Sequence, residues 1–389
     1  MTSIASTGRA PSVTAQGRAA PVPPVVYAVL FAATSAVVGV IWDISWHRTI
    51  GRDTFWTPAH LLIYLSGIVA GLSCGTLVLR TTFAGTPDAR AAGVSFWGFR
   101  GPLGAWLCIW GALAMIASAP FDDWWHNAYG LDVKVLSPPH SVLALGFTAI
   151  QLGALMMTVA HQNRAGRGDG RRYGLLVAYG LGVLLCNTYI MGFEYIAFPN
   201  DMHKAAFYQI TAAVFPVILV ACARAARLAW PATTAAAVYM GVHVAMILAL
   251  PLFPAQAMLA PIYNPVTSMV PPPFPILLVV PALAVDLLER RLRANDWLRA
   301  GAVAVAYVAL LFVTQWTFST FLISPASENA LFGVQRWNYN SRLGPWIHEF
   351  WEPGQNPVTP AGFGIAVALA FVSARLGFAW GNWLARVRR

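Results

Sequence analysis

With 389 residues, 58% of them hydrophobic and only 10% charged, the chain has more apolar surface than one water-soluble core can bury, and its mean hydropathy of +0.59 places it among integral membrane proteins. The formal charge of +10 does not point to nucleic acid, because the arginines stand in short clusters between apolar runs and not along one basic face. Cys74, Cys108, Cys186 and Cys222 all lie inside apolar runs without a C-x-x-C pair, which argues against a disulfide framework and against a thiolate zinc site.

Residues 1–22, rich in Ala, Ser, Thr and Pro, contain no apolar core of a signal peptide and are expected to form a disordered tail. Runs long enough to cross a ~30 Å hydrocarbon layer follow near 25–46, 58–80, 102–121, 138–161, 173–197, 204–228, 232–253, 274–289, 299–323 and 361–384. The expected fold is therefore all-α, a polytopic integral membrane helical bundle of about ten transmembrane helices. The eighth run is interrupted by Pro281 and preceded by the proline-rich stretch 251–275. Within it, loop 254–273, with Pro261, Asn264, Pro265 and Pro271 to Pro273, is expected to re-enter the protein interior, since proline resists regular helix.

Short cytoplasmic loops are enriched in Lys and Arg. Arg9 and Arg18, Arg80 to Arg100, Arg164 to Arg172, Arg224 and Arg227, Arg290 to Arg299, and the terminal Arg386, Arg388 and Arg389 all fall on one side of an even number of spans. This predicts a multi-pass cell-membrane protein with both termini cytoplasmic. The connections 47–57, 122–137, 198–203, 254–273 and 324–360 are then extracytoplasmic. Trp42, Trp46, Trp56, Trp124, Trp125, Trp337, Trp346 and Trp351 gather on that side, as an interfacial belt does.

Two stretches there repeat one device. Residues 42–60 read WDISWHRTIGRDTFWTPAH, and residues 122–140 read DDWWHNAYGLDVKVLSPPH. Asp43 and His47 are four apart at the end of a span and share one helix face. Thr57-Pro58 has the form of an N-cap followed by proline at the first helical position, which places His60 in the first turn of the next helix. The hairpin returns His60 towards Asp43 and His47. Asp122, His126, Ser137-Pro138 and His140 do the same again.

A single histidine near a membrane end is usually just an interfacial hydrogen-bonding group. An ionisable group inside the bilayer costs ~2.5–3.5 kcal/mol, however, so carboxylates are not kept there without partners, and two such triads on one side make coincidence a poor explanation. Two imidazoles and one carboxylate suit copper, zinc or non-haem iron and leave coordination positions open. Spacing alone does not choose among these metals.

The stretch D-I-S-W-H-(x4)-R-D-T-x-x-T-P-x-H, including Arg52, Asp53, Thr54, Thr57 and Pro58, resembles the metal-binding segment of the C subunit of copper membrane monooxygenases, the particulate methane, ammonia and short-chain hydrocarbon monooxygenases. The resemblance is strongest over about residues 25–165 and implies copper at Asp43, His47 and His60, which would be the catalytic centre. It implies a second copper at the positions of Asp122, His126 and His140, where the family has Asn in place of Asp122; Asp132 stands where the family has an acidic residue. The family subunit is shorter and works with partner subunits, one of which carries a soluble copper-binding region absent from this chain.

The expected organisation is thus a tail (1–22), a four-helix metal-binding part (23–165), and six further helices (166–389) with loops 254–273 and 324–360. Glu194 and His203 face the side of the triads as supporting or proton-carrying groups, with a capped helix end as the plainer reading. His348 and Glu349 belong to a loop that would cover the sites or remain solvated, and His243 reads as a buried hydrogen-bonded histidine. The leading expectation is a copper-dependent monooxygenase acting with O2 on a small apolar substrate in the lipid bilayer, alone as a homo-oligomer or with further subunits. A copper-binding, assembly or transport protein and a structural subunit of a membrane complex are the alternatives. Few polar residues lie below the motifs in spans one to four, which weighs against transport.

Overall fold

Proline opens many of the long helices, where its missing N–H is no loss and its fixed φ already suits the helix. In the computed structural model, which describes residues 21–130, 137–165, 170–327, 329, 331–332, 339–340 and 358–388, α1 spans Pro24–Thr49, α2 Pro58–Ala84, α4 Leu103–Tyr129 and α5 Pro138–Arg164. The short α3 (Pro87–Ala92) and a two-stranded hairpin, β1 (Val94–Phe96) with β2 (Phe99–Gly101), join α2 to α4. The second half contains α6 (Gly170–Met191), α7 (Phe193–Ile196), α8 (Ala205–Ala225), α9 (Pro231–Ala249), α10 (Val279–Arg291), α11 (Asp296–Ile323) and α12 (Pro360–Leu384). The fold is an all-α polytopic bundle, and among the described residues nine helices are long and apolar enough to cross a membrane.

The eighth expected span, 274–289, is the exception. Its helix begins only at Val279, as the 13-residue α10. Pro271, Pro272, Pro273 and Pro275 keep the preceding stretch extended, whereas Pro281 sits in the first turn of α10 and breaks nothing. Of the loop expected to re-enter, Met258, Ile262 and Tyr263 are exposed, whereas Met269, Val270 and the stretch after them run through the interior. Extended backbone at that depth must borrow hydrogen-bond partners from its neighbours. The Val270 amide donates to Thr49 Oγ1 (2.8 Å), the Ile276 amide to the Tyr239 hydroxyl (3.1 Å), and the Leu277 amide to Gln315 Oε1 (3.0 Å). At the far end, buried Asp286 accepts from the amides of Ala232 and Thr233 (3.1 and 2.8 Å) and caps α9 from outside that helix. Contacts that pass from the end of α1, through the middle of α9, to the start of α9 carry this segment along the bundle, first extended and then helical.

Close approach of backbones closes the hairpin that carries the second motif. Gly104 and Gly111 of α4 face Gly153 and Gly146 of α5, and a Cβ on Gly111 would strike the Gly146 carbonyl. Small residues of this kind let membrane helices meet without side chains between them. The α1–α2 hairpin closes in a similar way, with Gly39 against Ile63. At the opposite end from both motifs, Arg224 pairs with Glu289 (2.9 Å) and Asp296 (2.5 Å), and Asn163 donates to the carbonyls of Leu384 and Val387 (both 2.8 Å). The start of α1 and the end of α12 therefore lie at the same end of the bundle. Residues 1–20 of the expected tail, His348 and Glu349, Asp132, and Trp337, Trp346 and Trp351 lie outside the described residues, while Val22, expected in the tail, is buried.

Candidate metal centres

Asp43 and His47 share a face of the last turns of α1, and His60 stands in the first turn of α2, as the hairpin requires. His60 Nε2 lies 3.1 Å from Asp43 Oδ1, and His47 Nε2 lies 3.8 Å from Asp43 Oδ2. Asp53, which the sequence reading placed in the resemblance but not among the ligands, also enters. Its Oδ2 is 3.4 Å from His60 Nε2 and 3.7 Å from His47 Nε2. The signal for it was present in the R-D-T of the first stretch, but a carboxylate in a loop has no helical period to show where it points.

The loop is fastened at several places. The Trp46 indole donates to the Arg52 carbonyl (2.9 Å), the Met258 amide to the Ile50 carbonyl (2.9 Å), and the Thr54 amide to Thr57 Oγ1 (2.8 Å). That last bond corrects one expectation: the Thr57 side chain does not cap α2 but folds back to shape the loop. Ser137 does cap α5, accepting from the His140 amide (3.4 Å).

In the second cluster, Asp122 Oδ2 lies 3.5 Å from His126 Nε2 and Asp122 Oδ1 lies 3.4 Å from His140 Nε2. One ligand atom from each of these three residues lies within 4.8 Å of the other two. Helix α4 ends at Gly130, whose φ of +88° turns its carbonyl back to accept from His126 Nδ1 at 3.1 Å. A carbonyl only accepts, so Nδ1 donates in this bond, and Nε2 is the nitrogen turned towards Asp122.

Donor atoms held tetrahedrally at bonds of about 2.0–2.2 Å stand roughly 3.3–3.6 Å apart. The contacts of the second cluster, 3.4 and 3.5 Å, fall within that range, whereas those of the first run from 3.1 to 3.8 Å. In the first cluster each Nε2 faces two carboxylates, although a ring nitrogen has at most one proton to donate. Among the described residues the group whose donor atoms all lie close enough together for one ion is Asp122, His126 and His140, so the second cluster fits a metal, whereas the first pairs each imidazole with two carboxylates.

Both clusters line a single cavity of about 610 Å³. Val40, Ile63, Leu143 and Phe147 supply apolar wall, while Arg48, Tyr64 and Glu194 add polar groups. Arg48 and Tyr64 belong to no motif that singles them out in the sequence. Arg48 donates to the Pro271 carbonyl (3.1 Å), and the Tyr64 hydroxyl donates to the Phe55 carbonyl (3.2 Å). Glu194, on α7, is exposed and borders the cavity. His203 turns elsewhere, its ring nitrogens 3.1 Å from Ser319 Oγ and Thr320 Oγ1 of α11. Burial pushes its pKa down to about 4 against the opposing pull of the Pro199 and Trp316 carbonyls. It is a neutral structural histidine at physiological pH. His243, fully buried, lies between the rings of Tyr189 and Tyr239 (4.8 and 4.6 Å) and away from both clusters. The four cysteines are free and buried. No family model, curated protein or solved structure matches the chain.

Proposed function

We propose that the chain is a copper-dependent membrane monooxygenase, or the oxygen-activating subunit of one, acting on a small apolar substrate. The observation that carries this reading is that two His–His–Asp clusters face one partly apolar cavity inside a membrane-type bundle. Asp43, His47 and His60 would hold one metal, and Asp122, His126 and His140 a second. Imidazole and carboxylate donors suit copper and also admit zinc or non-haem iron, and the resemblance of the first stretch selects copper. Bound copper would supply the redox chemistry that activates O2. The chain's own part is to hold the His126 ring with Nε2 turned towards Asp122, to offer Val40, Ile63 and Phe147 to an apolar molecule, and to fix the ligand loop before any metal arrives.

The test is metal content and oxygen consumption of the full chain in mild detergent, with small alkanes and alkenes as substrates. Wild type is expected to bind up to two copper ions. His47→Ala and His126→Ala should each lose about one equivalent and most of the oxygen-dependent oxidation. Copper retained with no oxygen-dependent turnover would leave a metal-binding or assembly protein. Copper content unchanged in both variants would remove the metal reading altogether.

A further inference from the structure

The cavity between the two hairpins has a polar mouth and an apolar floor. On α1, Val40, Ile44 and Arg48 are four apart and line it from one face, which sets Val40 about 12 Å deeper than Arg48. Ile63 follows His60 into α2, and Phe147 follows His140 into α5, so both continue the floor below the imidazoles.

At the mouth, Arg48 is a cation without a carboxylate. The lining carboxylates Asp43 and Asp122 face imidazoles, and neither they nor Glu194 form an ion pair with Arg48. At the other end of the bundle, by contrast, Arg224 and Arg299 both pair with Glu289. Among the described residues Arg48 gives one side-chain hydrogen bond, from Nη1 to the Pro271 carbonyl, and its guanidinium stands 5.9 Å from the centre of the Phe198 ring. A guanidinium carries five N–H donors, and a charge drawn partly out of water is kept where an opposite charge balances it.

We propose that the cavity binds a single-chain amphiphile with a carboxylate head, Arg48 gripping the carboxylate and the chain passing Ile44 to reach Val40, Ile63 and Phe147. This site goes beyond the oxidation proposed above and needs no metal. The planar fork of a guanidinium meets a carboxylate through two parallel N–H···O bonds. An alkane leaves Arg48 unpaired, and an alcohol offers it one weaker bond. A volume of about 610 Å³ suits one flexible chain and not the two of a phospholipid. The polarity of the cavity, charge at the mouth and apolar side chains at depth, is also that of an amphiphile lying in a bilayer leaflet.

The test uses the full-length protein in lipid nanodiscs, stripped of metal by a chelator so that no ion can hold the carboxylate. Radiolabelled decanoate and decanol are the probes, and binding is the part that excess unlabelled probe displaces. Decanoate is expected to bind about 10-fold or more tightly than decanol, the worth of charge-assisted hydrogen bonds. Arg48→Gln should weaken decanoate by about 10-fold and leave decanol within about twofold. Arg48→Lys, which keeps the charge without the fork, should retain part of the preference. Phe147→Trp, which narrows the floor, should weaken both probes together.

Equal affinity of the wild type for the two probes, or binding of neither, would overturn the proposal, and that comparison stands even if the Arg48 variants do not fold. Equal weakening of both probes in Arg48→Gln would also overturn it, since a distorted cavity and not a lost anchor would then be the cause. Loss of decanoate in His126→Ala without loss in Arg48→Gln would move the head to the second cluster and overturn the role of Arg48. Decanoate held through Arg48 in a protein without oxygen-dependent turnover would support this site and remove only the monooxygenase reading.

Discussion

Gly130 occupies a backbone position that other residues scarcely reach, with φ +88° and ψ −172°. It is this conformation that returns its carbonyl to His126. Among the described residues a Cβ there would meet nothing within 4 Å, so the effect of Gly130→Ala is conformational, a strain of about 1–3 kcal/mol that the chain relieves by moving the carbonyl. With His126 Nδ1 released, the second centre should lose about 10-fold or more in metal affinity. Metal titration of Gly130→Ala in a His47→Ala background checks this, and unaltered affinity would show that the carbonyl does not orient the ring. Little of this was legible in the sequence. Helical spacing of four and a proline at N1 were enough to place Asp43, His47, His60, Asp122, His126 and His140, because each sits on a helix with a fixed period. Asp53 and the Gly130 carbonyl belong to connections, where direction is set by contacts with Trp46, Met258 and His126 that no local pattern records.

Among the elements, α10 and the stretch before it depart furthest from the reading of apolar runs. Hydropathy counts side chains, and by that count 274–289 is a span like the others. Helix formation also needs amide hydrogens, and four prolines within five positions withhold them. The amides that remain depend on side chains of other helices, the Tyr239 hydroxyl among them. Tyr239→Phe keeps the ring but strands the buried Ile276 N–H, which should cost about 1–3 kcal/mol. Tyr307→Phe is the control. Tyr307 is equally buried, but its hydroxyl donates to the Thr211 carbonyl inside α8, where a carbonyl ordinarily accepts from the amide four residues on. Thermal unfolding of both variants in the same detergent should show the larger loss for Tyr239→Phe. Equal losses would mean that the extended segment does not rely on this bond.

For the molecule as a whole, the sidedness of the bundle follows from where its charge lies. Both candidate centres and the loop bearing Met258 stand at one end, the Met258 amide bonding to the Ile50 carbonyl just beyond α1. The α3 helix, the β hairpin and the arginines around Arg90, Arg227 and Arg291 stand at the other, with both ends of the described chain. Lys and Arg accumulate in short loops on the cytoplasmic side, so the centres should face outwards. The buried state of all four native cysteines makes a direct test practical, since the unmodified chain should take up no membrane-impermeant maleimide. Met258→Cys, at a position 69% exposed, should label on intact cells. Asp88→Cys, at an exposed position on α3, should label only after the membrane is opened. The reverse pattern would place both centres in contact with the cytoplasm, where thiols compete for copper, and the metal would then have to be delivered from inside the cell.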